Sequence, residues 1–448
     1  MLRRTVTVDL SAPKGRIRPV MGGNLGPLSG WDLSFDFSAE FGELAIPWIR
    51  VADVEPPFGG GRFVDIANIF PDPSLDERFA ESYRFGPTDK YRLSVAGTGA
   101  EIYLRIGQSP SPDGDCRPDP LLINRSKLAG IARRIIAHYN QGWANGYKLG
   151  IKMVEIWCDP DRFGSPFADA EDYADLYRTV AAELKGAYPR LKVGCYSSGG
   201  FAGMNHFDAT DEVKRFPEFL ERFLTAISSR GEEAPLDFLS WKCYAYTPEE
   251  ISLHANYARS YLNSAGFKRT QSVISEFNMR SALSREAYAS PSYPAELASS
   301  MIIAQKSAVD MMFYSDLSPR SGRCALFTLD DNLTHRRYAS FEVMKAMGRI
   351  FRHSSAVDGT EDYRREIYSL ASSSERGATV ILAVRDYSGQ IDLCFKNCPF
   401  KGYSITGLVG GGERGEGRVT KAEGLSLPDG SISIRAGKDQ VYIVDLEP

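Results

Sequence analysis

Two carboxylates in this sequence stand at the ends of apolar, strand-like runs, where they could act as a pair. Val154-Glu155-Ile156-Trp157 leads into Cys158-Asp159-Pro160-Asp161, and Ser272-Val273-Ile274-Ser275 leads into Glu276-Phe277-Asn278. An acid that protonates a leaving oxygen and a carboxylate that attacks an anomeric carbon are what glycoside hydrolysis requires. Each residue also has a plainer reading: Glu276 as a turn cap or arginine partner, and Asp159-Pro160 as a common turn opener. Cys158 offers a different chemistry, nucleophilic attack. No histidine lies near it in sequence, however, and the charge of Asp159 disfavours its thiolate. Glu155 shares the strand parity of Trp157 and Asp159 but sits deeper, so it is expected in a buried ion-pair network.

Such a pair needs a scaffold that brings distant strand ends together. Eight short apolar runs recur: Pro19–Leu25, Pro47–Val51, Glu101–Ile106, Lys152–Trp157, Leu191–Gly194, Asp237–Trp241, Ser272–Ser275 and Asp310–Tyr314. Amphipathic stretches such as Lys127–Asn140, Ala170–Ala187 and Pro294–Ala308 alternate with them. This pattern predicts an α/β chain with a (β/α)8 TIM barrel, whose functional residues gather at the C-terminal strand ends. A doubly wound sheet is the rival, disfavoured because no GxGxxG follows an early strand. After Phe341–Phe351 the texture becomes all-β, and Thr5–Leu10 shares it. We therefore expect a barrel over residues 16–350 and a C-terminal β-sandwich from 351–448 that takes up the N-terminal strand in 1–15. The Gly410–Gly417 run lacks the Lys-Ser/Thr and helix of a phosphate loop and reads as a hairpin tip.

Around the carboxylates, Asn24, Arg50, Asp53, Arg105, Lys242, Tyr244, Tyr246 and Asn278 end or follow strands and are candidates for binding hydroxyls, with packing or ion pairing as the competing role. Trp157 and Trp241 could offer a flat platform to a sugar face. Arg50 and Arg105 are placed beneath the Glu276 level, where at least one would keep a carboxylate ionised.

At these residues the chain resembles glycoside hydrolase family 39, the β-xylosidases and α-L-iduronidases, within the large clan of retaining barrel glycosidases. The likeness also touches Gly22-Gly23-Asn24, Trp48-Ile49-Arg50-Val51, Arg105-Ile106-Gly107, His138-Tyr139-Asn140, Lys192-Val193-Gly194 and Asp237–Trp241. It implies a barrel followed by a β-sandwich, and retaining exo-hydrolysis of a small glycoside such as a xyloside or arabinoside, with no cofactor. Glu276 matches the family's nucleophile, and Asp159 stands where its acid/base glutamate would be. Cys158 replaces an asparagine that would bond near the sugar's 2-hydroxyl, and Lys242 replaces a histidine. Asp159 is shorter than glutamate by one methylene, about 1.5 Å. Its carboxyl is therefore expected at or beyond the upper edge of the roughly 5 to 5.5 Å spacing of retaining enzymes. The rivals are a degenerate barrel that binds saccharide without cleaving it, and an inverting or transglycosylating variant.

Composition sets the outer bounds. The 448 residues carry a net charge of −4 with Lys and Arg scattered, which gives no footprint for nucleic acid or an anionic membrane. No run approaches the ~20 apolar residues of a membrane-spanning helix. The N-terminus alternates like a strand, so a cytoplasmic chain is expected, or a secreted one if a signal was trimmed. Seven cysteines and five isolated histidines show no ligand spacing, so reduced thiols and no metal are expected. The partner expected is a small saccharide; a homo-oligomer is compatible with the sequence.

Overall fold

The computed structural model describes residues 2–13, 15–30, 32–51, 63–109, 122, 124–228, 234–279, 287, 290–318, 326–329, 335–353, 355–359, 366–410, 418–424 and 430–448. Asp53 and the glycine run from 411 to 417 lie outside them.

Eight parallel strands close into a barrel in sequence order. They are β1 (Gly22–Asn24), β2 (Trp48–Val51), β3 (Glu101–Ile106), β4 (Met153–Ile156), β5 (Lys192–Ser198), β6 (Phe238–Ala245), β7 (Gln271–Met279) and β8 (Met311–Tyr314). The interior is layered by strand parity. Tyr103, Met153, Phe238, Val273, Met311 and Phe313 form an apolar plug at the bottom. Glycines make room for these rings: a Cβ on Gly194 would lie 2.3 Å from the Phe238 carbonyl oxygen, and one on Gly22 would lie 2.7 Å from the Phe313 ring. Two residues further along the strands, Arg105, Glu155, Ser240 and Ser275 replace the plug with buried polar groups. The barrel is thus dry and apolar below and polar toward its C-terminal mouth, as the chemistry of that end demands.

Three strands run beyond their apolar cores. β5, β6 and β7 extend to Ser198, Ala245 and Met279, with register shifts between Cys195 and Ser198 on β5 and between Ile274 and Glu276 on β7 where polar residues interrupt the hydrophobic pattern. Helices such as Arg125–Gln141 and Ala170–Ala187 bury one face against the barrel; their first turns are capped by Asn124, which accepts from the Lys127 amide, and by Asp169, which accepts from Asp172.

The β-sandwich is one nine-stranded sheet curled over its own core. It is antiparallel except where the N-terminal strand, Arg3–Pro13, runs parallel to β11 (Gly389–Lys396). The remaining sheet strands introduced here are β9 (Ile367–Ser374) and β10 (Gly377–Val384), then, after β11, β12 (Gly402–Val409), β13 (Ser431–Ala436) and β14 (Gln440–Glu447). Two further strands, Ser355–Gly359 and Arg418–Gly424, were not visible in the sequence pattern. β10 is buried along its whole length. Val380, Leu382 and Val384 face the sandwich core, while Ile381 and Ala383 join the apolar layer continuous with the barrel. Helices Tyr293–Lys306 and Ala339–Arg352 pack against that strand. Among the described residues no helix is long and apolar enough to cross a membrane.

Candidate active site

Glu276 faces the barrel interior because of an irregularity in β7. Against β6, Ile274 pairs with Trp241 and Glu276 with Lys242, so Ser275 is an extra residue on its strand. This β-bulge lets two successive side chains point inward, a device common beside active sites. Ser275 Oγ bonds Ser197 Oγ at 2.8 Å below, and Glu276 emerges above it opposite Lys242.

Asp159 arrives by a different route. β4 ends at Ile156, and the chain then turns through left-handed conformations at Trp157 (φ 71°) and Asp159 (φ 52°). Such angles are uncommon outside glycine. They are held here by the Trp157 amide donating to the Ile106 carbonyl (2.7 Å) and the Asp159 amide donating to the Tyr196 carbonyl (3.0 Å). The turn breaks the strand parity that predicted Trp157 to face the site. Its ring is instead buried edge-on against Phe167.

The two carboxylates meet on one ammonium. Lys242 Nζ donates to Asp159 Oδ2 at 2.7 Å and lies 3.1 Å from Glu276 Oε1. The nearest oxygens of the pair can therefore be no more than about 5.8 Å apart, the two contacts laid end to end. That bound falls below the roughly 6.5 to 9.5 Å of inverting enzymes. A shared cation thus offsets the repulsion between the two carboxylates.

Glu276 is the best-defined of these groups. Tyr244 donates its hydroxyl to Oε2 at 2.9 Å, and Arg50 Nη1 lies 3.7 Å from Oε1. Burial acts to raise the Glu276 pKa, but Lys242 and Arg50 together outweigh it and hold the carboxyl at about 2. Burial pushes the Tyr244 phenol up, reinforced by the charge of Glu276, so it is a donor. Desolvation works against the Lys242 ammonium, yet its two carboxylates keep it charged.

Beneath lies a second buried ion pair. Arg50 donates to Glu155 Oε2 through Nε (2.9 Å) and Nη2 (2.6 Å), and Glu155 Oε1 accepts from Tyr103 (3.1 Å) and Ser240 (2.5 Å). Arg50 Nη1 also donates to Asn24 Oδ1 at 3.0 Å, and Asn24 Nδ2 to the Ser275 carbonyl at 2.7 Å. Asn24 therefore spends both ends of its amide on the protein. Cys158 Sγ lies 3.7 Å from Arg50 Nη2, and burial, with the charge of Asp159, pushes its thiol up to about 12, which makes it a poor nucleophile.

Other candidates lie elsewhere. Arg105 pairs with Asp65, which also accepts from Ser109, rather than with Glu276. Trp241 is fully buried, its indole donating to Ser272 Oγ at 3.0 Å and its ring packed on Phe201, so neither tryptophan forms the expected platform. Asn278 is buried and occupied by the Ser315 carbonyl (2.6 Å) and the Tyr293 hydroxyl (2.7 Å). Tyr246 is half exposed at the rim, its ring 4.5 Å from that of His206. Sequence reasoning did not single out Tyr103, Ser240, Asp161 or Ser315. The period-two register linking Ser240 to Lys242 was the available signal for the second of these.

No family model and no curated protein matches the sequence. Solved structures do. A glucosidase from Croceicoccus marinus superposes with a TM-score of 0.78 at 17% identity, over 100% of both chains. The chain shares that structure's fold, a (β/α)8 barrel with a β-sandwich. A monomeric β-xylosidase from Caulobacter crescentus (TM-score 0.70, 13% identity, 99% of both chains) shares it. So does a family 51 α-L-arabinofuranosidase from Thermotoga petrophila (0.67, 13%, 99% of this chain and 100% of that one). These likenesses extend through the sandwich as well as the barrel.

Proposed function

We propose that the protein is a retaining exo-glycoside hydrolase, similar to family 39, acting on a small pentoside-type glycoside. Glu276 is the nucleophile and Asp159 the acid/base. The observation that carries this reading is the convergence of carboxylates from β4 and β7 on Lys242, with Glu276 ionised and aimed by Tyr244. In the first step Asp159, having taken up a proton from solvent as Lys242 withdraws from it, passes that proton to the departing oxygen while Glu276 attacks the anomeric carbon. In the second, water attacks the anomeric carbon, gives one of its own protons to Asp159 as general base, and displaces Glu276 as a carboxylate. Lys242 yields its place between the carboxylates as the sugar enters and offsets the charge left behind. Acid catalysis contributes about 100- to 10,000-fold.

Nitrophenyl pentosides are the first test. Turnover is expected and should vanish in Glu276→Ala, and a 2-fluoro glycoside should label the peptide bearing Glu276. Asp159→Ala should slow alkyl glycosides far more than nitrophenyl ones; an equal loss on both would remove Asp159 from the acid role. The position of Lys242 between the carboxylates favours a second reading, saccharide binding without cleavage. Sugar affinity with no turnover across a broad glycoside panel would establish it instead.

A further inference from the structure

Two residues past Asp159, and fully buried, lies a carboxyl that the reaction above does not use. Asp161 Oδ2 accepts from Ser198 Oγ at 2.7 Å and from the Gly199 amide at 3.0 Å. Both donors sit where β5 runs into its loop, so the side chain clamps the β4 turn to the neighbouring strand. Its Oδ1 is out of solvent and has no hydrogen-bond partner, and the same is true of Asp159 Oδ1. Asp159 has the Lys242 ammonium on its other oxygen, whereas Asp161 has only neutral donors; a buried carboxylate without a cation is costly, and protonation removes its charge.

We propose that Asp161 is a positioning residue for Asp159: as a clamped neutral acid it fixes the left-handed turn that presents Asp159 and keeps a second negative charge away from Lys242. This deepens the glycosidase reading and rests on it. Burial first, and then the charge of Asp159, raise the Asp161 pKa to about 7, against the opposing bonds from Ser198 and Gly199. The charged and titratable groups facing it are Asp159 on its own turn, Lys242 on β6, and Cys195 and Tyr196 on β5. Cys195 and Tyr196 are themselves held neutral by burial, which leaves Asp159 and Lys242 as the charges that matter. Ionised, Asp161 would compete for the ammonium that Asp159 and Glu276 share. The hold of Lys242 on the Asp159 turn would then weaken while the backbone bond to Tyr196 stays.

The test uses the full chain and separates charge from clamp. In the wild type, kcat for an alkyl glycoside should fall as pH rises through about 7. Asp161→Asn keeps an acceptor for Ser198 and Gly199 but cannot ionise, so this alkaline limb should move up by at least one pH unit. Asp161→Ala loses the clamp as well and should lose about 10- to 100-fold on alkyl glycosides, within the range of acid catalysis, with nitrophenyl substrates spared and partial rescue by Asn. A limb left in place by Asp161→Asn overturns the proposal. A second readout needs no turnover: carboxyl carbon NMR of the wild type should show Asp161 titrating near neutrality, and lower in Asp159→Asn. An ordinary carboxylate titration there also overturns it. If the NMR result holds while no glycoside is cleaved, the glycosidase reading falls and the Asp159–Asp161 coupling stands.

Discussion

Lys242 decides how the site behaves at rest. Its ammonium touches both carboxylates, and its alkyl chain comes from the strand next to Glu276. Removing one partner from a buried ion cluster costs on the order of 3 kcal/mol or more, because the charges left behind remain desolvated. Lys242→Met should therefore lower the melting temperature, and its effect should depend on pH. The folded-state pKa of Glu276 lies below its ordinary value, so its stabilisation is fully present above about pH 4.5 and is lost as pH falls toward about 2. Without Lys242, that loss should begin at higher pH, and the acid limb of kcat/KM should rise by at least one unit. Melting curves and rates measured between pH 3 and 7 would check both; an unchanged acid limb would mean that Arg50 and Tyr244 suffice to hold Glu276 ionised. Residue types alone exposed Glu276, Asp159 and Lys242 as candidates. They did not reveal that one cation serves both acids, because that depends on the bulge at Ser275, which no periodicity marks.

At the scale of elements, two local departures from regular strand geometry build the site: the bulge in β7 and the left-handed turn after β4. The turn depends on its neighbour. Gly107, at the end of β3, has φ 152°, and a Cβ there would lie 2.8 Å from the Trp157 Cα. Gly107→Ala should thus cost about 1 to 3 kcal/mol in backbone strain and push the Asp159 turn outward. Thermal melts should register the destabilisation, and turnover of poor leaving groups should fall more than that of good ones. A destabilised variant with an unaltered leaving-group dependence would show that the turn absorbs the strain elsewhere. The barrel strands were legible from their apolar runs. Their last residues were not, since Ser198, Lys242, Tyr244 and Asn278 continue the ladder while ending the hydrophobic pattern. Trp157 shows the converse error: parity extrapolated past the end of the ladder placed inward a ring that packs outward.

The whole molecule depends on a strand that is remote in sequence from its neighbours. Arg3–Pro13 lies between Ser355–Gly359 and β11, so among the described residues β11 and β13 reach the rest of the sheet only through it. Val6 and Val8 are buried in the sandwich core. Deleting residues 2–13 should uncouple β11 and β13 and expose the core they cover. Hydrogen exchange should then show lost protection at Ile391, Leu393, Ile432 and Ile434 while the barrel strands keep theirs. Uniform loss would indicate that sheet and barrel unfold as one unit through β10. The sequence texture assigned Thr5–Leu10 to this domain correctly, but alternation alone does not specify the parallel pairing with β11.

The interior position of that strand also has a consequence for synthesis. Arg3 pairs with Gln390 and Asp9 with Lys396, so the strand is made long before its parallel partner. At roughly 5 to 20 residues per second the two are separated by on the order of 20 to 80 seconds of translation. During that interval the barrel can assemble, while Val6 and Val8 lack the side of their core that Ile391 and Leu393 supply. A nascent chain that stalls before β11 carries an unfilled edge on Arg3–Pro13, a natural target for chaperones and proteases.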